Sequence, residues 1–473
     1  MGMPCLVCGP LLGHTQRFLS DTRRPIDLAV SAHRGQRLGC HGHAVRKAAD
    51  LAGLVGKRSF ALPQQRARLA LVYAGPDRDD DTDPDLESES LLASLRARRD
   101  ELDREDEETT KRWKRGECTS AMIFALNNVE GKPLDWVRRV AMEWPLAAIG
   151  SMRGGVWLVN LRTCKTVASN PLLHPVDPRE GGLEDVRVLY GDYDGGGITA
   201  MAMKAGIIAS ASRDGIVRLT RRAEESDVLE ERAVLPVGSI VSSVLLLDGG
   251  SVVTGTLDGK VRRWDLVADD DGDSAVVVKY EVGLELDLSA PVLCAAVDPD
   301  RRIIVAGTGW VEGAAGTAYV FNLEDGELLH RWTPHMSTRS VVIGHGQIVT
   351  GGIDGSLRAL SLNSEGSGAD AFTFSADTEA AHLEPWHSGP VVALAMREAG
   401  LLLSGALDGT IRVWDLEAEE DEDGVGGTGK ALYALRGYKV WLGSVLTDGR
   451  RLLSDGCDDG VLMHDFSRHK EGS

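Results

Sequence analysis

Few residues in this 473-residue chain are of the types and spacings that carry out chemistry. Cys5 and Cys8 form a C-x-x-C pair, followed by His33, Cys40, His41 and His43, all groups able to ligate zinc. A structural zinc site needs its second ligand pair at a compact spacing, whereas this second group lies about thirty residues on and mixes ligand types. No metal site is expected there. The glycine-rich GDYDGGG at 191–197 precedes a strand rather than a helix, so it lacks the aligned N–H groups that cradle phosphate. The chain has no G-x-x-x-x-G-K-S/T, no G-x-S-x-G and no H-E-x-x-H. Its acidic runs lack the fixed Gly and terminal Glu of a calcium loop. No catalytic residue, metal or cofactor is therefore expected, and the chain is read as a non-enzyme.

One polar set does recur at fixed spacing. A hydroxyl stands four residues before an Asp in Ser210/Asp214, Thr254/Asp258, Thr350/Asp354, Ser404/Asp408 and Ser454/Asp458. Six residues after that Asp comes Trp264 or Trp414 in two copies, and Thr220, Leu360 or His464 in the others. Hydrogen bonding is the chemistry this spacing offers. A short acid in a turn accepts from its own turn backbone and from a neighbouring ring N–H.

The elements that position this set are hairpins. LLLSGALDGTIRVWDL at 401–416 is the fullest copy, and SVVTGTLDGKVRRWDL at 251–266 shares its frame. Segments 206–221, 347–362 and 451–466 follow it as well. Two weaker copies lie at 146–161, with Arg153 at the Asp position, and at 305–323, with an insertion around Trp310. In each copy an alternating strand enters a tight turn, mostly Asp-Gly, and a second strand returns. Apolar runs such as 390–396 precede the copies, and short strands such as 431–435 follow them, which makes four strands per unit. Such a unit cannot bury both faces alone, but units stacked around an axis can.

These repeats resemble WD40 repeats, and residues 120–473 resemble a seven-bladed WD40 β-propeller, an all-β fold. In that family a His before the first strand, a Ser/Thr, the turn Asp and the Trp form a buried hydrogen-bonded set. His387, Ser404, Asp408 and Trp414 match all four positions, whereas Val237-Gly238 and Gly437-Tyr438 stand where Gly-His is expected. The resemblance makes Asp214, Asp258, Asp354 and Asp458 structural turn residues too. It also implies closure of the ring by an N-terminal strand, for which AMIFAL at 121–126 is suited.

Charge divides the chain into three. Residues 1–76 hold eleven Lys/Arg and three acids, a basic extension of low order that shares the composition of a transit peptide. Residues 77–118 form an acidic linker and a charged helix, in which Leu91, Leu92, Leu95 and Leu102 mark a weak apolar stripe. This helix is read as a lead-in to the folded domain at 119–473. The net charge of −19 argues against direct nucleic-acid binding or an anionic membrane surface, and no apolar run reaches a spanning helix. The seven cysteines make no disulfide framework, and Cys118, Cys164, Cys294 and Cys457, in or beside strand-like segments, are expected as buried free thiols. A reducing cytoplasmic or nuclear location fits, with an organelle as the alternative if residues 1–76 are a targeting segment.

The family resemblance implies a non-catalytic scaffold or adaptor, here a monomeric propeller binding one or more protein partners, including those of a larger complex. Alternatives are the substrate-recognition subunit of a ubiquitin ligase, an RNA-processing scaffold and a propeller enzyme. Cullin-4 adaptors carry Trp-Asp-x-Arg, whereas this chain reads Trp264-Asp265-Leu266-Val267 and Trp414-Asp415-Leu416-Glu417. Residues preceding the turn Asp (Arg213, Leu257, Ile353, Leu407 and Cys457) are expected near the central channel on one face, with Trp310 and Trp386 beside them. These seven are the candidate partner contacts. Acidic residues in the third-to-fourth-strand connections, at 265–273 and 417–423 and among 224–231, are expected on the opposite rim.

Overall fold

Alternating apolar residues and left-handed glycines shape many of the hairpins; Gly355 and Gly409, for example, follow the turn Asp with φ of +81° and +75°. The computed structural model describes residues 84–126, 135–174, 197–223, 226–267, 278–364, 372–373, 381–417, 429–438, 442–457 and 460–467. The Cys5–His43 group, most of GDYDGGG, Asp458 and most of the acidic outer connections lie outside these residues. Seven four-stranded antiparallel sheets form the propeller. Blades 1 to 6 span 137–170, 198–236, 241–287, 292–332, 338–383 and 391–436. Blade 7 takes three strands from 445–465 and its outermost strand from Thr119–Ala125. The N-terminal strand thus closes the ring, pairing Thr119 with Asp465 and Ala125 with Gly460.

Burial follows position in the blade. Second strands such as Val252–Thr256 and Leu401–Ala406 are buried throughout, because adjacent blades cover both of their faces. Outermost strands face water, as in Lys279–Asp287. In blades 1 to 6 a register shift recurs near the start of the innermost strand, for example between Val241 and Ser243, and bends that strand. No helix among the described residues is long and apolar enough to cross a membrane.

The charged stretch forms a 32-residue helix, Pro84–Arg115, here α1. Ion pairs such as Arg98–Glu101 and Lys111–Glu107 support it, and Gly116, at φ +69°, ends it. Its C-terminal third docks on blades 6 and 7, at the face opposite the Asp turns. Trp113 is closed to solvent, stacks on Phe466 with ring centroids 3.7 Å apart, and donates to the Gly449 carbonyl at 3.0 Å. Arg397 of blade 6 donates to Asp106 at 2.5 Å and to Thr110 Oγ1 at 2.7 Å. Lys114 pairs with Asp415 at 2.6 Å, and Arg112 donates to the Ser467 carbonyl at 2.7 Å. The lead-in reading is corrected here, since the last turns of α1 are part of the propeller's packing. The leucine stripe makes little of this contact, and Leu95 is exposed.

The cysteines also depart in part from expectation. Cys294 is buried between blades 4 and 5, and burial pushes its thiol pKa up to about 12. Cys118 is half-buried, while Cys164 is exposed, because it sits at φ +53° in the turn between two outer strands of blade 1.

Candidate partner-binding face

In blade 6 the polar set closes into one network. His387 Nδ1 lies 3.0 Å from Asp408 Oδ2, and a carboxylate only accepts, so Nδ1 carries the proton. His387 Nε2 then accepts from Ser404 Oγ at 2.7 Å, and Trp414 Nε1 donates to Ser404 Oγ at 2.9 Å. Asp408 Oδ1 accepts from Thr410 N and Oγ1, at 3.0 and 2.7 Å. Burial opposes ionisation of Asp408, but the hydrogen bonds from His387 and Thr410 outweigh it and hold the carboxyl below its ordinary range. Every donor and acceptor is committed and nothing is aimed at a substrate. The set is structural.

Other blades carry partial versions. In blade 2, His174 bridges Asp214 Oδ2 and Ser210 Oγ at 3.2 and 2.9 Å, but Thr220 replaces the Trp. Blade 3 lacks the His and keeps the Trp264 Nε1 to Thr254 Oγ1 bond at 3.0 Å. In blade 7 the Trp position holds His464, whose Nε2 meets Ser120 Oγ of the closing strand at 3.4 Å. Burial pushes its pKa down to about 2.

Blade 5 is built differently. Here Ser356 stands where blade 6 has Thr410 and takes the closer contact: His335 Nδ1 meets Ser356 Oγ at 2.9 Å, whereas Thr410 Oγ1 lies 3.2 Å from His387 Nδ1 and Asp408 is nearer. Asp354 Oδ1 accepts from Ser356 Oγ at 2.8 Å and from Ser356 N at 3.1 Å, and His335 Nδ1 lies 3.5 Å from that same oxygen. Burial pushes the His335 pKa down to about 4, so the ring is neutral. The Asp354 side chain is 39% exposed, against 7% for Asp408 in the fully tied version.

Beside Asp354 opens a cleft of about 450 Å³ between blades 4 and 5, lined by Trp310, Ala314, Pro334, Met336, Asp354 and Arg358. The inserted turn that carries Trp310 is fixed in place. Trp310 N donates to Ser337 Oγ at 2.9 Å, Gly316 N to the Met336 carbonyl at 2.7 Å, and Val311 bridges to Ala314. A Cβ on Gly316 would stand 2.4 Å from the Thr308 carbonyl oxygen, so only glycine lets the turn lie this close.

Strands one and three of a blade run together, so second-to-third-strand turns and blade-to-blade connections share one face. That face exposes Trp310 (48%), Met336 (62%), Ile353 (41%), Trp386 (46%) and Leu407 (39%) on consecutive blades 4, 5 and 6. Leu257 and Arg213 lie on the same face but are half-buried, and the Cys457 side chain lies outside the described residues. The candidate contacts therefore narrow to an arc rather than a ring. Trp136 and Leu172 are exposed near blade 1, and further exposed apolar residues such as Val234, Val282 and Leu328 stand on outermost strands.

Residues 381–415 match the family described as WD domain, G-beta repeat. The chain is a WD40-repeat β-propeller. The matched stretch is the one holding the complete set His387, Ser404, Asp408 and Trp414, and blades 2, 3, 5 and 7 each lack at least one of the four. The crystal structure of a computationally designed protein, Ika8, is similar at 20% identity, covering 70% of this chain and 83% of that one with a TM-score of 0.46. No curated protein matches.

Three WD40 features escaped the sequence reading. His174 was hidden because its blade's first strand starts only at Ile198, far beyond the usual spacing. His335 stands three residues before Thr338, where a search for Gly-His passes over it. An arginine also recurs four residues after the turn Asp, at Arg218, Arg262, Arg358 and Arg412. Arg262 donates to the Val237 carbonyl at 3.2 Å and Arg412 to that of Pro385, bracing the blade-to-blade connections. Aligning the copies beyond the Asp would have shown it.

Proposed function

We propose that this WD40 propeller is a non-catalytic interaction scaffold that captures a protein partner on the arc over blades 4 to 6. WD40 propellers typically serve protein interaction, and the observation that carries this reading is the run of exposed Trp310, Met336, Ile353, Trp386 and Leu407 on fixed loops. Large apolar side chains held in water on rigid elements are what interface hot spots require. Pre-ordered loops also lower the entropic cost of association. The full chain and its Trp310→Asp, Met336→Asp double variant would be compared as baits in affinity capture with mass spectrometry. The expected result is loss of a specific partner at an unchanged melting temperature. Retention of every partner by the folded double variant overturns the assignment to this face.

A further inference from the structure

The turn aspartates of blades 2, 5 and 6 use their two oxygens unequally. Oδ1 always serves the turn, accepting from Ile216 N at 2.9 Å, Ser356 N at 3.1 Å and Thr410 N at 3.0 Å. In blades 2 and 6, Oδ2 is bound to a histidine, His174 at 3.2 Å and His387 at 3.0 Å. In blade 5 the Ser356 hydroxyl takes the His335 Nδ1 contact instead, and no described residue donates to Asp354 Oδ2. The Asp354 side chain, 39% exposed, lines the cleft together with Trp310.

Other ionisable groups stand around the cleft. His335 is a buried neutral ring. Arg358 also lines the cleft, half-buried with its Nε closed to solvent, at the repeat position from which Arg262 and Arg412 hold the blade-to-blade connection. Glu312, on the same turn as Trp310, adds a second exposed carboxylate. The cleft therefore brings together an exposed tryptophan and a carboxylate whose Oδ2 has no donor among the described residues, on a chain of net charge −19. A cation is attracted by both, electrostatically to the ring and by charge-assisted hydrogen bonding to the oxygen.

We propose that this cleft receives an arginine or lysine side chain of the protein partner, its charge on Asp354 Oδ2 and its stem or guanidinium plane against Trp310. This inference rests on the scaffold reading and names the chemistry of its partner. Among the blades described with this histidine, blade 5 is the one whose second carboxylate oxygen has no donor among the described residues.

The test uses the full chain and capped heptapeptides Ac-AGLXLGA-NH2, with X as Arg, Lys, Gln or Glu, in calorimetric titration. The Arg and Lys peptides are expected to bind about tenfold more tightly than the Gln peptide, with the Glu peptide weakest. Asp354→Asn, which keeps an oxygen for Ser356, and Trp310→Ala, which leaves the Asp turn untouched, should each erase that preference. If Asp354→Asn does not fold, Trp310→Ala alone decides. Equal binding of all four peptides, no binding of any, preference for Glu, or a cation preference that survives the folded variants overturns the proposal. Partner capture by the Trp310→Asp, Met336→Asp variant is followed in parallel. Loss of capture without a cation preference leaves the scaffold reading standing while this inference fails.

Discussion

Asp455 occupies the position held by Gly255, Gly307, Gly351 and Gly405 in other blades, where a Cβ would come within 2.5 to 2.8 Å of side-chain atoms, those of the next blade's first strand among them. In blade 7 the next strand belongs to blade 1, so this carboxyl lies in the seam that closes the ring. It is 2% exposed; Oδ1 accepts from Ser444 N at 3.0 Å, and Oδ2 has no partner among the described residues. Burial raises its pKa to about 7, with Arg139 of blade 1 the facing cation that opposes the rise. The folded state thus binds this proton more tightly than the unfolded chain, in which an Asp titrates near 4. Asp455 should then penalise folding increasingly as pH rises from about 4 to about 7, by about 4 kcal/mol at the upper end. Melting temperatures at pH 5 and pH 8 should differ for the native chain and differ less for Asp455→Gly. An unchanged difference would remove the seam carboxyl as its source. The sequence marked Ser454 and Asp458 of this copy but passed over Asp455, since only the packed ring shows which glycine position a carboxylate has replaced.

At the scale of elements, the hairpins were legible because each carries its own periodicity and turn chemistry within about sixteen residues. Helix α1 was legible as a helix but not as a packed one. A hydropathy stripe needs apolar residues at successive turns, whereas α1 docks through Thr109, Trp113 and the polar reach of Asp106, Thr110, Arg112 and Lys114. Tyr433 adds a hydrogen bond from its hydroxyl to the Trp113 carbonyl at 2.6 Å. Trp113→Ala removes the stacked ring and its bond to Gly449, and a buried aromatic truncated in this way costs about 3–5 kcal/mol. Thermal unfolding followed by circular dichroism should show an earlier transition and reduced helicity. Native helicity and an unchanged midpoint would place α1 outside the cooperative unit.

For the whole molecule, closure is the decisive contact. Thr119–Ala125 covers the edge of Gly460–Asp465, and on the opposite face the Arg451 guanidinium of blade 7 lies 3.4 Å above the Trp144 ring of blade 1. A chain beginning at Leu134 leaves that edge unpaired, whereas one beginning at Glu117 keeps the strand and loses only α1. The expected order of melting temperatures is full chain, then the Glu117 start, then the Leu134 start, with aggregation of the last. Equal midpoints for the two shortened chains would refute strand closure. The sequence alone determined the blades and the Asp turns, because each is encoded by neighbouring residues or by a repeat, and the family resemblance pointed to the strand that completes the ring. Only the tertiary structure decided that the exposed candidate contacts gather over blades 4 to 6, that α1 is docked, and that the Asp354 side chain is left exposed. These depend on which residues from distant parts of the chain fill the space around a side chain, and no local pattern records that.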